Sequence, residues 1–180
     1  MEAKIDFPDF KGTVTILQEL GGAQITDAIF EINIEEIDPD ICVNCDGCDG
    51  TATALNWHIH SSAIPEEPEP GNVCDQIGGH WDPTFGCGGA SEFAGPDGVC
   101  AMLADLVDGR VNPQTCDPMV DIAMCELGDL SGKVGQTKIE VGPQIFKDNF
   151  ISNLVNIEGF SIIFHCGAPR VACGNLELVM

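Results

Sequence analysis

The sequence predicts an all-β domain, a Greek-key sandwich or barrel of about eight strands with disulfide-rich loop insertions and one short helix. Three observations predict it. Short runs rich in Ile, Val, Thr and Phe recur along the chain, punctuated by Gly, Pro and Asp clusters. Long helical periodicity is absent. Ten cysteines, at 42, 45, 48, 74, 87, 100, 116, 125, 166 and 173, are spread through the intervening loops.

The elements follow in order. "GTVTILQEL" (12–20), "DAIFEINIEEI" (27–37), "TALNWHIHSS" (53–62), "TKIEV" (137–141), "GFSIIFH" (159–165) and "VACGNLELV" (171–179) read as strands. Short strands with frequent turn signals suit an immunoglobulin-like sandwich or a Greek-key barrel. "GVCAMLADLVDG" (98–109) is the one helix candidate, with Met102, Leu103, Leu106 and Val107 at helical spacing and Gly109 as a stop. Residues 38–50 and 84–124 are expected as cysteine-bearing loop insertions in a single domain spanning 1–180. "IPEEPEPGN" (64–72) reads as a stiff, exposed loop.

Composition bounds the function. Seven basic residues against 29 acidic ones give a net charge of −22. Such a surface repels phosphate backbones and anionic membranes, which argues against nucleic acid as a partner. No run approaches the roughly 20 apolar residues of a membrane span. An even cysteine count spread through loops points to disulfides and an oxidising compartment. The chain is therefore expected to be extracellular, its leader removed or replaced by Met1. "CVNCDGC" (42–48) has metal-motif spacing, but disulfides suit a secreted chain better. "NCDGCDG" only faintly echoes a calcium loop, without the closing Glu.

The chain has four histidines: His58, His60, His80 and His165. In a strand, side chains alternate, so His58 and His60 share one face and Trp57 and Ile59 the other. Two imidazoles on one strand face are half of a metal site, or else a satisfied pair that binds nothing. His80 lies on a loop bent by Gly78, Gly79 and Pro83, and His165 ends an apolar run. Imidazole suits copper, zinc, iron and nickel, and a His-only site favours Cu(II) or Zn(II).

These segments together resemble the copper/zinc superoxide dismutase family, and more closely its copper-only branch. "HIH" (58–60) is similar to the strand pair of copper ligands. In "CDQIGGHWDP" (74–83) a cysteine precedes a third ligand by six positions, "GFSIIFH" ends in the fourth, and "RVACG" (170–174) carries an arginine three positions before a cysteine. Order and direction agree from about residue 12 to 179. The resemblance implies that His58, His60, His80 and His165 bind copper, that Arg170 guides superoxide, and that Cys74 pairs with Cys173. A surface arginine in an ordinary ion pair is the plainer reading of Arg170.

The departures from the zinc-containing pattern are informative. No histidine remains for zinc, and in "CELGDLSGKVG" (125–135) Glu126 stands where a zinc-binding histidine would be, with Asp129 matching the aspartate. The resemblance implies that Glu126 acts on His80 from behind the metal, with Asp129 supporting Glu126 or the local backbone. A metal-bound histidine usually gives its other ring nitrogen to such a carboxylate. The plainer reading of both is a solvated acid, with Asp129 capping a turn. The electrostatic loop of zinc-containing members shrinks here to "CGAP" (166–169), which implies a more open copper. The implied function is copper-dependent dismutation of superoxide to O2 and H2O2, without zinc, with Arg170, His80 and Glu126 catalytic. The alternative is a non-catalytic copper-binding or interaction module excised from a larger repeat protein, whose partners are neighbouring repeat domains.

Overall fold

A computed structural model describes residues 1–18, 27–149 and 157–179. Eight antiparallel strands form one sheet: β1 (Glu2–Phe7), β2 (Phe10–Gln18), β3 (Ala28–Ile37), β4 (Ala54–His60), β5 (Thr137–Lys138), β6 (Gly142–Asp148), β7 (Ser161–His165) and β8 (Arg170–Glu177). Their spatial order is β5-β4-β7-β8-β1-β2-β3-β6. The two end strands, β5 and β6, are nearly consecutive in sequence, so the sheet curls into a nearly closed barrel. The Gln144 amide spans the seam, accepting from the Lys138 N–H (2.8 Å) and donating to the Lys138 carbonyl (3.0 Å). That side chain replaces a rung of backbone ladder and covers a sheet edge. β3 and β6, neighbours at one end, send the chain across to β4 and β7, crossings of Greek-key type.

Alternation builds the core. Val14 and Ile16 of β2, and Ala28, Phe30, Ile32 and Ile34 of β3, are buried, as period-2 patterning requires. Trp57 fills the seam, its ring 5.3 Å from Phe30 and 4.9 Å from Phe146. Its indole N–H donates to the Gly135 carbonyl (2.8 Å), so the buried ring carries no unpaired donor. Phe10 meets Phe164 edge-on at 4.8 Å. Each fully buried large apolar side chain contributes about 1.5–3 kcal/mol.

Most expected elements form. The helix is α2 (Val99–Leu106), accompanied by short turns of helix α1 (Ile41–Asn44) and α3 (Leu130–Val134). Residues 19–20 of the first expected strand lie outside the described residues. The expected strand 137–141 shortens to Thr137–Lys138, because the chain turns at 139–141 to start β6. β1 and β6 are strands that the run-by-run reading does not contain.

All ten cysteines pair: Cys42–Cys166, Cys45–Cys48, Cys74–Cys173, Cys87–Cys100 and Cys116–Cys125. The CxxC spacings of 42–48 thus serve disulfides. The five bridges and the all-β architecture are compatible with a secreted protein. Among the described residues no helix is long and apolar enough to cross a membrane.

Candidate metal centre

The centre is built on one edge of β4. β7 pairs with its other edge, Asn56 opposite His165 and His60 opposite Ser161. Along the free edge four different partners replace a full-length strand. β5 pairs at Ala54 and Leu55. The Ser131 hydroxyl accepts from the Trp57 N–H (2.6 Å) and lies 3.2 Å from the Trp57 carbonyl. The Gly128 carbonyl accepts from the Ile59 N–H (2.9 Å). Gly79 and Trp81 then bond to Ser61 and Ile59, leaving His80 beside His60. A side chain at Gly128 would strike the Ile59 carbonyl and the Trp81 backbone, so only glycine fits this crossing. The broken edge delivers both the His80 loop and the 126–131 segment to the strand that carries His58 and His60.

Leu55, Trp57 and Ile59 enter the core, while His58 and His60 point to the opposite face and are still buried, 8% and 1% exposed. His58, His60 and His80 offer ligand atoms that all lie within 4.8 Å of one another. Ring centroids separate His58 from His80 by 4.0 Å and from His165 by 4.9 Å, and His60 from His165 by 6.0 Å. All four histidines of the chain therefore converge, His165 standing against the other three.

Each ring has one nitrogen engaged by an oxygen that can only accept. The Gly78 carbonyl takes His60 Nδ1, and the Ala168 carbonyl takes His165 Nδ1 at 3.0 Å. The Glu126 carboxylate takes His80 Nδ1. Asp129 Oδ1 lies 3.4 Å from His58 Nε2. The N–H is thereby placed on the named nitrogen of each ring. The lone pairs are left on Nδ1 of His58 and on Nε2 of His60, His80 and His165. The first, second and fourth of these nitrogens are buried without any hydrogen-bond partner. Buried polar atoms are nearly always satisfied, so three orphans in one cluster fit a metal ion held by neutral imidazoles.

Burial also disfavours the charged form of His58, His60 and His165. Desolvation, the largest cause in each case, lowers the pKa of His58, that of His60 to about 2 and that of His165 to about 4. Protons therefore compete poorly for the lone pairs. Burial pushes Asp129 up, but its hydrogen bonds with His58 and the Gly132 N–H outweigh this, and its net shift is downward.

Glu126 is buried, one oxygen on His80 and the other accepting from the Ala90 N–H at 3.2 Å. Asp129 caps α3 through the Gly132 N–H (2.9 Å) while facing His58, a partner that sequence reasoning does not name. Arg170 donates Nη1 to the carbonyls of Cys74 (2.6 Å) and Ile77 (2.8 Å), and Nη2 to Gly78 (3.4 Å). Among the described residues no acidic side chain forms a salt bridge with it, although the field of Asp75 reaches it. Sequence reasoning also misses Lys133, whose ammonium is fully buried between Asp148 (2.6 Å) and the Leu127 carbonyl (2.6 Å) and fixes the 126–131 segment against β6. Its burial with opposite charge is not visible in a local motif.

The disulfides flank these residues. Cys166 follows His165, Cys125 precedes Glu126, and Cys74–Cys173 joins the His80 loop to the strand of Arg170. No protein-family model matches the chain, and no curated protein matches it.

Proposed function

We propose that the protein is a copper-only superoxide dismutase acting in an extracellular setting. The observation that carries this reading is the set of orphaned ring nitrogens, His58 Nδ1, His60 Nε2 and His165 Nε2, beside a His80 whose Nδ1 is already engaged. His58, His60, His80 and His165 would hold copper. An all-nitrogen donor set suits Cu(II) well, and the two carboxylates nearest the rings are occupied as acceptors rather than offered as ligands. When bound, copper would supply the one-electron exchange by which one superoxide is oxidised to O2 and a second, taking up two protons from solvent, is reduced to H2O2.

The chain's own residues perform the remaining work. Glu126 fixes the His80 tautomer and ring plane, and Asp129 does so for His58, each acting behind a ligand. Arg170 presents a fixed positive charge whose orientation is set by three carbonyls, and it binds the anion by charge-assisted hydrogen bonds. That local charge matters because a −22 surface repels superoxide. Screening within about 8 Å at physiological salt confines the repulsion. His80 Nε2, if released from the metal, would be the nitrogen placed to carry a proton from water to reduced oxygen, while Nδ1–H stays on Glu126.

The test is copper loading of the purified protein, metal analysis and a superoxide-consumption assay, with His165→Ala beside the wild type. The reading expects about one copper per chain, consumption well above free protein background, and loss of both in the variant. Copper bound without consumption would leave only a copper-binding module, and no copper bound would overturn the reading.

A further inference from the structure

We infer that the turn 86–90 of the long insertion is a positioning cradle for Glu126, and that Gly88 is its critical residue. This deepens the copper reading and rests on it for its catalytic meaning. Asp82, buried, gathers the turn by accepting from the N–H groups of Gly86 (2.7 Å) and Cys87 (2.8 Å) and from the Ser91 hydroxyl (2.7 Å). The Cys87–Cys100 bridge anchors it to α2. Cys87 and Phe85 hold φ near +56°, a backbone state that non-glycine residues seldom adopt. This tightly held turn meets the carboxylate from two directions. The Ala90 N–H donates to Glu126 Oε1 (3.2 Å), and Gly88 lies against the same group.

The contact leaves no room for a side chain. A Cβ on Gly88 would stand 2.5 Å from Glu126 Oε1 and 2.8 Å from its Cδ. Normal contact would need the carboxylate to retreat by roughly 1 Å. The Ala90 bond is already at 3.2 Å, so a shift of that size breaks it and pulls the other oxygen off His80 Nδ1. Gly88 has an ordinary backbone conformation, and its closest neighbours are all atoms of the Glu126 side chain. An alanine there therefore conflicts first with Glu126, whose side chain supplies its three nearest atoms. Gly89 supplies the internal control, because a Cβ there meets nothing nearer than Pro113 Cβ at 3.9 Å. The insertion thus sets the aim of Glu126, and through it the tautomer of His80.

The experiment compares Gly88→Ala, Gly89→Ala, Glu126→Ala and the Gly88→Ala/Glu126→Ala double variant of the full chain. Two readouts are taken: 15N NMR of the His80 ring in metal-free protein, and Cu(II) affinity by competition with a chelator. Wild type and Gly89→Ala are expected to show a single Nδ1–H tautomer and equal affinity. Gly88→Ala is expected to show mixed tautomers and a 10–100-fold weaker affinity, the usual size of an effect behind a ligand. In the Glu126→Ala background the added methyl is expected to change neither. Should Gly88→Ala fail to fold while the double variant folds, the conflict with the carboxylate is supported in the same way. Unchanged tautomer and affinity in Gly88→Ala, equal disturbance by Gly89→Ala, an effect that persists without Glu126, or failure of both Gly88 variants to fold would each overturn the inference. Absence of Cu(II) binding by wild type would sink the copper reading while leaving the tautomer comparison intact.

Discussion

Arg170 and His60 share one acceptor: the Gly78 carbonyl takes both the His60 Nδ1–H and, at 3.4 Å, an Arg170 Nη2–H. The cation is therefore referenced to the same backbone atom that fixes a candidate ligand. Its two other bonds, to Cys74 and Ile77, lie on the loop tied to β8 by Cys74–Cys173. A charge held by carbonyls keeps its capacity to attract an anion, because among the described residues no carboxylate forms a salt bridge with it.

The first prediction follows from that sharing. Arg170→Ala removes both the charge and the donor to three carbonyls, so stability should fall by about 1–3 kcal/mol and copper-dependent kcat/KM by about tenfold or more. Arg170→Lys keeps the charge without the planar fork and should recover the salt dependence but only part of the rate. Stopped-flow superoxide decay against ionic strength, beside urea unfolding, checks this. A wild-type rate in Arg170→Ala would remove the residue from the mechanism.

A second prediction separates the two duties of Asp129. Its carboxylate caps α3 and also faces His58 Nε2. Asp129→Ser can still cap, since serine is as good at that position, but its hydroxyl is too short to reach the ring. Stability should stay within about 0.5 kcal/mol of wild type, while Cu(II) affinity drops 10–100-fold. Asp129→Ala should lose both, with about 1 kcal/mol of stability. Equal copper affinity in Asp129→Ser would show that the contact with His58 does nothing.

These residues also mark how far the sequence is legible. Period-2 alternation places His58 and His60 on one face of β4 and Trp57 and Ile59 on the other, and the structure agrees. β6 escapes because "GPQIFKD" opens on Gly-Pro and ends on Lys-Asp; its strand character comes from pairing with β3, Phe146 opposite Phe30. β1 escapes because Glu2, Lys4 and Asp6 alternate with only small or single apolar residues. The partner of Asp129 escapes for a different reason. It depends on where α3 docks, which is decided by a buried contact with β6 rather than by any local pattern. The eight cysteines beyond the implied pair leave about 105 pairings open, and only the folded loops choose among them.

The third prediction is a pH dependence in metal-free protein. An unfolded imidazole takes up its proton near 6.5. In the fold, burial lowers His60 to about 2 and His165 to about 4, and also depresses His58. Between those values the unfolded chain binds more protons than the folded one. Stability therefore rises with pH through this window and is lost as pH falls below about 6.5. Urea unfolding at about pH 7.5, 5.5 and 4.5 should show a decline on the order of a few kcal/mol. His165→Gln should flatten it. A level profile in wild type would contradict the buried, neutral cluster.

The last prediction concerns what holds the 126–131 segment in place. Lys133 and Asp148 are both fully buried, 2.6 Å apart, and Lys133 also caps the Leu127 carbonyl. Desolvation lowers the Lys133 pKa, and the opposite charge of Asp148 works against that shift. Removing Lys133 leaves a buried carboxylate without its opposite charge, so Lys133→Met should cost about 3–5 kcal/mol, whereas Lys133→Met/Asp148→Leu should restore part of it. The pair sits between α3 and β6, so its loss should also loosen Asp129 and Glu126 from their histidines. Under conditions where Lys133→Met is still folded, its Cu(II) affinity should fall with no ligand altered. If the single variant matches wild type in both unfolding free energy and copper binding, the pair is not what seats the segment.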